Sequence, residues 1–450
     1  MATKKDLLEA QTFSRRRLLT AFTGGAPGGK ELEPAKPLMA VITGVVLSVM
    51  LVLGGLFFGL IRPGLPNDWQ NNRLIVASDT GARYVSIDGV LYPVVNTASA
   101  RLLIPAGDFA VVSTDQASLD GIEIGRSIGI VGAPDDLPAR DRLVREGWAA
   151  CLPDGPSAVV AVSSNPVAEA APSLGLAVAR ADDSFVVAGD RRYAVDDSQV
   201  SAVLRAAGLG SAAEREVEGR WLDLFTEGTP IAPLVVEGAG DPVSGTELSV
   251  GEAVHATGSP EADRYLVTAA GELAPLSPFA YQLYLLGTGA ELGEARDVSP
   301  AVTAALRTAD EPAGGADWPS EVLGDFSETE VPCAVLESSD AQSVTQLGRA
   351  VRELPSTSAA GQVAMQLGAG AVVTAGGSGE QRSATRFVID ATGTAFPVPG
   401  DDPETLQRLG YRADDVSPVT NAWIAYFPTG PALTSDAAAS TTEPASAAAE

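Results

Sequence analysis

The longest apolar stretch of the chain covers residues 38–61, which are 24 consecutive residues without a charged side chain. A helix of that length rises about 36 Å, at about 1.5 Å per residue, and this is enough to cross a hydrocarbon core of about 30 Å. The pattern therefore predicts one transmembrane helix over residues 38–61. This helix separates a short amino-terminal tail from a long carboxy-terminal part, which we call the outer part.

Four segments of the outer part share one pattern of apolar and polar positions. An aromatic-led strand is followed by a turn of small residues, a second strand, a polar cap and a helix, which predicts a ββα unit repeated four times. The predicted units begin at Arg83, Phe185, Arg264 and Arg386. Asn96, Asp196 and Ser277 stand where a helix needs a side-chain acceptor, and Gly208, Gly287 and Gly410 stand where it ends.

The spacing of the units predicts a tandem duplication. Tyr84 and Tyr265 are 181 positions apart, and Cys151 and Cys333 are 182 apart. The second and fourth units align with a shift near 202. We expect the two halves to pack about a pseudo-two-fold axis. The apolar runs between the units, near 120–170 and 325–375, are expected to form a shared central β-rich domain.

The predicted fold class is therefore α/β (α+β). It comprises one transmembrane helix and an elongated pseudo-two-fold extracytoplasmic domain, in which four ββα-type repeats surround the central β-rich domain. The predicted order is a cytoplasmic basic tail (1–37), the transmembrane helix (38–61), a linker (62–77), repeat 1 (78–120), the first half of the central domain (121–175), repeat 2 (176–215), an inter-half segment (216–255), repeat 3 (256–300), the second half of the central domain (301–380), repeat 4 (381–430) and a disordered tail (431–450).

Charge sets the expected orientation of the chain. Residues 1–37 carry seven basic and four acidic groups, whereas the part after residue 61 carries 23 arginines against 53 acids. Because short basic loops stay in the cytoplasm, we expect a single-pass protein of the inner (cell) membrane with its amino terminus inside. The acidity of the outer part, which contains no lysine, argues against nucleic acid as a partner.

The amino-terminal tail allows other interpretations that are weaker. Residues 14–19 (SRRRLL) resemble a twin-arginine signal, but about eighteen residues separate them from the apolar run. A secretory signal would have a shorter apolar region, so an uncleaved anchor is favoured. Residues 7–22 are compatible with a basic amphipathic helix on the inner leaflet or on a cytoplasmic partner, and equally with a solvated tail.

The two cysteines lie at equivalent positions of the two halves. In an oxidising compartment Cys151 and Cys333 are expected to form a disulfide near the axis; two free buried thiols are the alternative. Their spacing is far from the short C-x-x-C spacing of a redox-catalytic pair.

Sequence motifs of catalytic sites are incomplete. His255 is the only histidine; we expect it in a loop, in a surface or packing role. Residues 24–30 (GGAPGGK) match the start of a phosphate-binding loop, but Glu31 stands where Ser or Thr is needed. Residues 79–81 (DTG) match an aspartic-protease triplet but are interpreted as a turn. The sequence therefore predicts no catalytic, cofactor or metal site.

Several stretches carry a family resemblance. Residues 91–103 (LYPVVNTASARLL), 125–134 (GRSIGIVGAP) and 428–433 (PTGPAL), with residues 11–17 and the single anchor, resemble the EccB subunit of actinobacterial type VII (ESX) secretion systems. The resemblance implies a structural subunit of the membrane core complex, which forms the extracytoplasmic part of the export channel.

The resemblance also implies partners. These are an EccC-type motor ATPase, EccD- and EccE-type membrane subunits, the mycosin protease and further copies of the chain through the outer domains. Some family members are labelled ATP hydrolases, and the repeats are likened to a cell-wall-binding module. Nucleotide hydrolysis and peptidoglycan binding therefore remain as alternatives.

Overall fold

The apolar run near the amino terminus forms one long helix. The computed structural model describes residues 3–24, 37–60, 65–210, 214–338, 342–355, 363–376, 384–400 and 402–442. The chain divides into two units, Met1–Gly64 and Leu65–Glu450. The first unit contains helices α1 (Lys4–Gly24) and α2 (Pro37–Leu60). Within the described residues, Leu38–Leu56 of α2 is the one segment that is long and apolar enough to span a membrane. Ile61, the end of the predicted span, lies outside the described residues.

The second unit begins with the first repeat, R1 (73–114). Its elements are β1 (Arg73–Ala77), β2 (Arg83–Ile87), β3 (Val90–Pro93), α3 (Thr97–Leu103) and β4 (Ala110–Thr114). Strands β2 and β3 form the predicted hairpin, in which Asp88 and Gly89 have φ values of 50° and 80°. Positive φ at both central residues is the turn geometry that matches strand twist.

The rest of the first half continues through part of the central domain into the second repeat, R2 (175–227). The central strands are β5 (Trp148–Cys151), β6 (Val159–Val162) and β7 (Ala168–Ala170). R2 contains β8 (Gly175–Arg180), β9 (Asp183–Ala188), β10 (Arg191–Val195), α4 (Val200–Ala207), β11 (Arg215–Glu216), α5 (Gly219–Leu222) and β12 (Thr226–Glu227).

The second half repeats this order. The third repeat, R3 (253–298), contains β13 (Ala253–Ala256), β14 (Arg264–Val267), β15 (Leu273–Leu276), α6 (Pro278–Leu286), α7 (Gly289–Leu292) and β16 (Arg296–Val298), and α8 (Pro300–Ala305) follows it. The central strands are β17 (Pro332–Ser338), β18 (Ser343–Ala350) and β19 (Val363–Met365). The fourth repeat, R4 (371–424), contains β20 (Ala371–Gly376), β21 (Thr385–Ile389), β22 (Ala395–Val398), α9 (Pro403–Leu409), β23 (Ser417–Thr420) and α10 (Asn421–Ile424), and α11 (Ser435–Ala439) follows it.

Each repeat is larger than the predicted ββα unit. A strand precedes the hairpin, and the strand after the helix returns parallel to that first strand: β1 to β4, β8 to β11, β13 to β16 and β20 to β23. Three of the first strands lie in ranges that were predicted differently. They are β1 in the linker 62–77, β13 in the inter-half segment 216–255 and β20 in the central range 301–380. The linker prediction is also wrong for residues 65–72, because Leu65 and Trp69 pack against R1.

Helix caps follow the prediction at most positions. Asn96 and Ser277 accept hydrogen bonds from the amides of Ser99 and Ala280, so they satisfy free donors of the first turn. Gly208, Gly287 and Gly410 end their helices as expected. The Asp196 prediction was wrong: α4 begins after Gln199, because the Asp196 carboxylate instead accepts from Ser198 in the preceding turn.

The central domain is one six-stranded sheet built from both halves. The strand order is β19-β6-β5-β17-β18-β7. Strands β5 and β17 form an antiparallel pair at the middle of the sheet. The last central strand of each half pairs with a strand of the other half: β7 pairs with β18, and β19 pairs with β6. If β5, β6 and β7 are exchanged with β17, β18 and β19, the strand order stays the same but runs from the opposite edge of the sheet. A pseudo-two-fold axis between β5 and β17 requires this symmetry of the order.

The repeats pack in pairs and against the central sheet. Helix α3 of R1 packs on α9 of R4, and α4 of R2 packs on α6 of R3. R2 and R4 also contribute to the core of the central sheet through α5 and α10. R1 and R3 are thus joined to the central sheet largely through R4 and R2.

The prediction of disorder over 431–450 was wrong for residues 431–442. Leu433 is fully buried between R1 and R4, and its amide donates to the Pro397 carbonyl at 2.7 Å. Helix α11 follows and packs on α3. A low-complexity composition did not prevent order here, because Leu433 and Ala438 fill an apolar gap between the two repeats. Residues 443–450 lie outside the described residues.

Candidate functional site

A covalent link joins the two halves of the outer part at the middle of the central sheet. Cys151 and Cys333 lie directly opposite each other in β5 and β17 and form a disulfide. Both residues are fully buried among Ala149, Ala168 and Val335. The bridge lies where the pseudo-two-fold axis crosses the sheet, so it fixes the register of the two halves.

Two tryptophans that the sequence analysis missed anchor R2 and R4 to this sheet. Trp221 and Trp423 are fully buried, and their indole N–H groups donate to the Ala150 carbonyl and to the Thr345 hydroxyl, each at 2.9 Å. Residues 221–225 (WLDLF) and 423–427 (WIAYF) show the signal that could have found them, at the same 202-residue shift.

An ionic cluster ties R4 to the first half of the central domain. The Asp415 side chain is 2% exposed and accepts from Arg140 at 2.5 and 3.0 Å and from Arg145 at 3.3 Å. The Arg412 amide also donates to it at 2.8 Å. The hydrogen bond from Arg140 is the main reason why the pKa of Asp415 lies below its usual value.

The only histidine lies in a strand, β13, and not in a loop as expected. The strand was missed because its four residues are too few to show an alternation of apolar and polar positions. Its partner strand β16 also lies about 40 residues further along the chain. His255 Nδ1 lies 2.8 Å from Asp297 Oδ1, and Nε2 lies 3.2 Å from Ser259 Oγ. These three residue types also form hydrolase triads.

The detailed geometry does not fit a serine nucleophile. The Ser259 hydroxyl donates to the Ala256 carbonyl at 2.7 Å, and Nε2 also faces the carbonyl oxygens of Ser259 and Pro260 at 3.3 and 3.2 Å. A base must keep Nε2 unprotonated to take a proton, whereas these carbonyls favour an N–H there. The hydrogen bond with Asp297 is the main reason why the pKa of His255 is raised.

A cleft of about 780 Å³ adjoins this histidine. It is lined by Glu247, Arg296, Asp297, Val298, Ala301 and Val302, among others. The cleft therefore contains charges of both signs and small apolar side chains. Its lining also includes Ser299 and Thr246, and the Thr246 hydroxyl donates to the Val243 carbonyl at 3.0 Å.

The two remaining sequence motifs are residues 24–30 and residues 79–81. Residues 25–30 of the phosphate-loop-like stretch lie outside the described residues. Asp79 and Thr80 lie in a turn, in which the Asp79 carboxylate accepts from the Gln116 amide at 2.9 Å. In the part of the chain that the structure describes, no group of three or more His, Cys, Asp or Glu side chains could hold a metal ion.

These features define a class of protein: a single-span membrane protein whose outer domain is duplicated, with both halves contributing strands to one central sheet. The chain belongs to the family described as Type VII secretion system ESX-1, transport TM domain B, whose family model matches residues 1–446. The resemblance to EccB is thereby confirmed, and so is the mixed α/β class with one amino-terminal anchor helix.

Curated relatives are similar over different lengths. The chain is 29% identical over 236 residues to the ESX-3 secretion system ATPase EccB3 of Mycobacterium tuberculosis, and this match covers 48% of the chain but 42% of the relative. It is 25% identical over 482 residues to the ESX-2 secretion system ATPase EccB2 of the same species, covering 96% of the chain and 94% of the relative. The word ATPase belongs to the names of these relatives.

Solved structures share the fold. A chain of an intact ESX-5 inner membrane complex matches with a TM-score of 0.65 at 20% identity, covering 99% of this chain and 96% of that one. A structure described as an EccB3 dimer from the ESX-3 core complex matches with a TM-score of 0.65 at 22% identity, covering 82% and 100%. At these identities the likeness establishes the architecture alone.

Proposed function

We propose that this chain is a structural, membrane-anchored subunit of a type VII secretion core complex, whose outer domain forms the extracytoplasmic part of the channel for protein export. The observation that carries the proposal is a single apolar span joined to a duplicated scaffold, in a chain that matches the transport family over residues 1–446. One span cannot enclose a pore by itself, so the function requires assembly.

The partners follow from the same proposal. An EccC-type motor ATPase would supply energy, EccD- and EccE-type subunits would complete the membrane part, and the mycosin protease would meet the outer domains. Further copies of this chain would pair through those domains. A solved relative described as a dimer and another described as part of an intact inner membrane complex support this proposal.

The decisive experiment is gentle purification from native membranes. An affinity tag on the full chain should recover a complex that contains a motor ATPase and several other membrane proteins. Imaging of that complex should place the outer domain of this chain on the extracytoplasmic side of the membrane. Recovery of the chain as monomers only, from membranes in which secretion is active, would overturn the proposal.

The proposal includes no nucleotide hydrolysis by this chain, although its relatives are named ATPases. The purified full chain should release no phosphate from ATP above background. Lys30→Ala removes the lysine of the phosphate-loop-like stretch, and Lys36→Ala is its matched control outside that stretch. Turnover that Lys30→Ala abolishes and Lys36→Ala leaves intact would establish an enzyme instead.

Peptidoglycan binding is the other alternative. The proposal predicts that the purified full chain in detergent stays in the supernatant when it is sedimented with isolated peptidoglycan sacculi. Saturable co-sedimentation would favour a cell-wall-binding module.

A further inference from the structure

His255 is the only histidine of the chain, and histidine is the side chain whose ordinary pKa lies between pH 5 and 8. It bridges two elements of R3. Its Nδ1 contacts Asp297 of β16, and its Nε2 faces the carbonyls of Ser259 and Pro260 in the turn between β13 and β14. The imidazole is 17% exposed, whereas the Asp297 side chain is 76% exposed, so their contact is open to water on the carboxylate side.

Both ring nitrogens face hydrogen-bond acceptors. Both can therefore donate a hydrogen bond only when both carry a proton, which is the charged form of the ring. A neutral ring keeps one N–H, so it gives up either the carboxylate or the turn carbonyls. If Nε2 loses its proton, the Ser259 hydroxyl, whose oxygen lies 3.2 Å away, is placed to donate to it. That hydroxyl now donates to the Ala256 carbonyl, so it must leave that carbonyl to reach the neutral ring. The turn therefore has two hydrogen-bonded arrangements, one for each charge state.

The charges around the ring come from three elements. Asp297 of β16 lies opposite His255 in the parallel register and favours the cation. Arg264 of β14 lies opposite His255 on the other side, and its guanidinium stacks over the ring of Tyr281 at 4.3 Å. Glu261 of the turn lies 3.5 Å from that guanidinium and so partly neutralises it.

We propose that His255 is a pH-dependent clamp, which holds the turn of residues 257–263 against β16 when the ring is charged and releases it when the ring is neutral. The proposal concerns R3 alone and does not depend on the function of the assembly. Acidity outside the membrane is then a signal that R3 senses.

The sign follows from the raised pKa of His255. The folded state binds the proton more tightly than an unfolded chain does, so the clamp contributes fully below about pH 6.5 and is lost as pH rises through the folded-state pKa. The turn should therefore be ordered in acid and loosened in alkali.

The first experiment is a proton titration of the ring. The full chain in detergent micelles, with a non-histidine tag and ¹³C-labelled histidine, gives one imidazole signal. We expect its midpoint above 6.5 in the natural chain and lower in Asp297→Asn. Asp310→Asn is the matched control, because Asp310 is an exposed acid that pairs with Arg307 close to R3. A midpoint at or below 6.5 in the natural chain overturns the proposal without any variant.

The second experiment follows the turn itself. Hydrogen exchange of residues 257–263, corrected for the intrinsic effect of pH, should quicken several-fold as pH rises through the measured midpoint. His255→Gln should exchange quickly at every pH, and Asp310→Asn should behave like the natural chain. If the exchange rate of residues 257–263 in the natural chain does not change through the midpoint, the charged ring does not hold the turn and the proposal is wrong.

Discussion

Trp221 of α5 and Trp423 of α10 occupy equivalent positions of R2 and R4, and each buries its whole side chain against the central sheet. Their hydrogen bonds differ. Trp221 donates to a backbone carbonyl, that of Ala150, whereas Trp423 donates to the Thr345 side chain. Trp423 also meets Trp148 edge to face at 6.0 Å. The two halves thus use a tryptophan at the same position as an anchor, but its hydrogen-bond acceptor differs between them.

This difference predicts a coupling in one half only. Thr345→Val leaves the buried Trp423 N–H without an acceptor and should cost about 1–3 kcal/mol of unfolding free energy. Trp423→Phe should cost more than Thr345→Val, but the double variant should cost less than the sum by about 1 kcal/mol, because no donor is then left unpaired. The measurement is a double-mutant cycle in urea unfolding.

Trp221→Phe combined with Thr345→Val supplies the control. These residues share no hydrogen bond, so the two costs should add within about 0.5 kcal/mol. Equal coupling in both pairs would show that Thr345 affects the core generally and is not the acceptor that matters.

The buried carboxylate of Asp415 predicts a pH dependence of stability. Its pKa is lowered in the folded state, so its contribution is complete above the ordinary value near 3.8 and is lost as pH falls through the folded-state pKa. At neutral pH Asp415→Asn should cost about 1–2 kcal/mol, less than for a fully buried pair, because Arg140 and Arg145 are 40% and 50% exposed.

Thermal unfolding between pH 3 and 7 checks this prediction. The difference in Tm between the natural chain and Asp415→Asn should shrink toward acid. Asp414→Asn, at the exposed neighbouring acid, should follow the natural chain. A difference that is constant over this range would mean that Asp415 acts through shape alone.

The carboxy-terminal segment should matter for stability. Leu433 is fully buried between R1 and R4, so Leu433→Ala should cost about 2–5 kcal/mol. Leu367→Ala is the matched control, since Leu367 is 95% exposed and its loss should cost less than about 0.5 kcal/mol. Similar unfolding midpoints for the two variants would contradict the packing of the segment.

Local signals explain which parts of this fold could be predicted. Turn residues such as Asp88 and Gly89 and caps such as Asn96 act within a few positions, so the hairpins and most of the helix starts were found. Strands such as β1 and β20 carry no turn or aromatic signature of their own. They are defined by parallel pairing with strands beyond a helix, which a linear pattern does not show.

The central sheet was partly predictable for a different reason. Equivalent cysteines at 182 positions' distance indicated that β5 and β17 meet. The exchange of β7 and β19 between the halves depends on tertiary contacts, and no spacing in the sequence indicates it. His255 was misplaced for the same reason, since its strand is defined by β16.

The disulfide should stabilise the link between the halves. Closing a loop with a separation of 182 residues is worth at most about 5 kcal/mol on the chain-entropy model. Cys151→Ala combined with Cys333→Ala should lower the unfolding midpoint and quicken hydrogen exchange in β5 and β17 before it does so in R1. Intact mass of alkylated protein with and without reductant provides the check. Two alkylated thiols in the untreated natural chain would contradict the bridge.

The position of the lysines predicts a labelling pattern that tests orientation. All four lysines, Lys4, Lys5, Lys30 and Lys36, precede the apolar span. A membrane-impermeant amine reagent applied to intact spheroplasts should therefore leave the chain unlabelled until the membrane is permeabilised. Arg126→Lys places one amine on the exposed surface of the outer domain and should be labelled at once. Labelling of the natural chain in intact spheroplasts, or protection of the Arg126→Lys variant, would reverse the orientation.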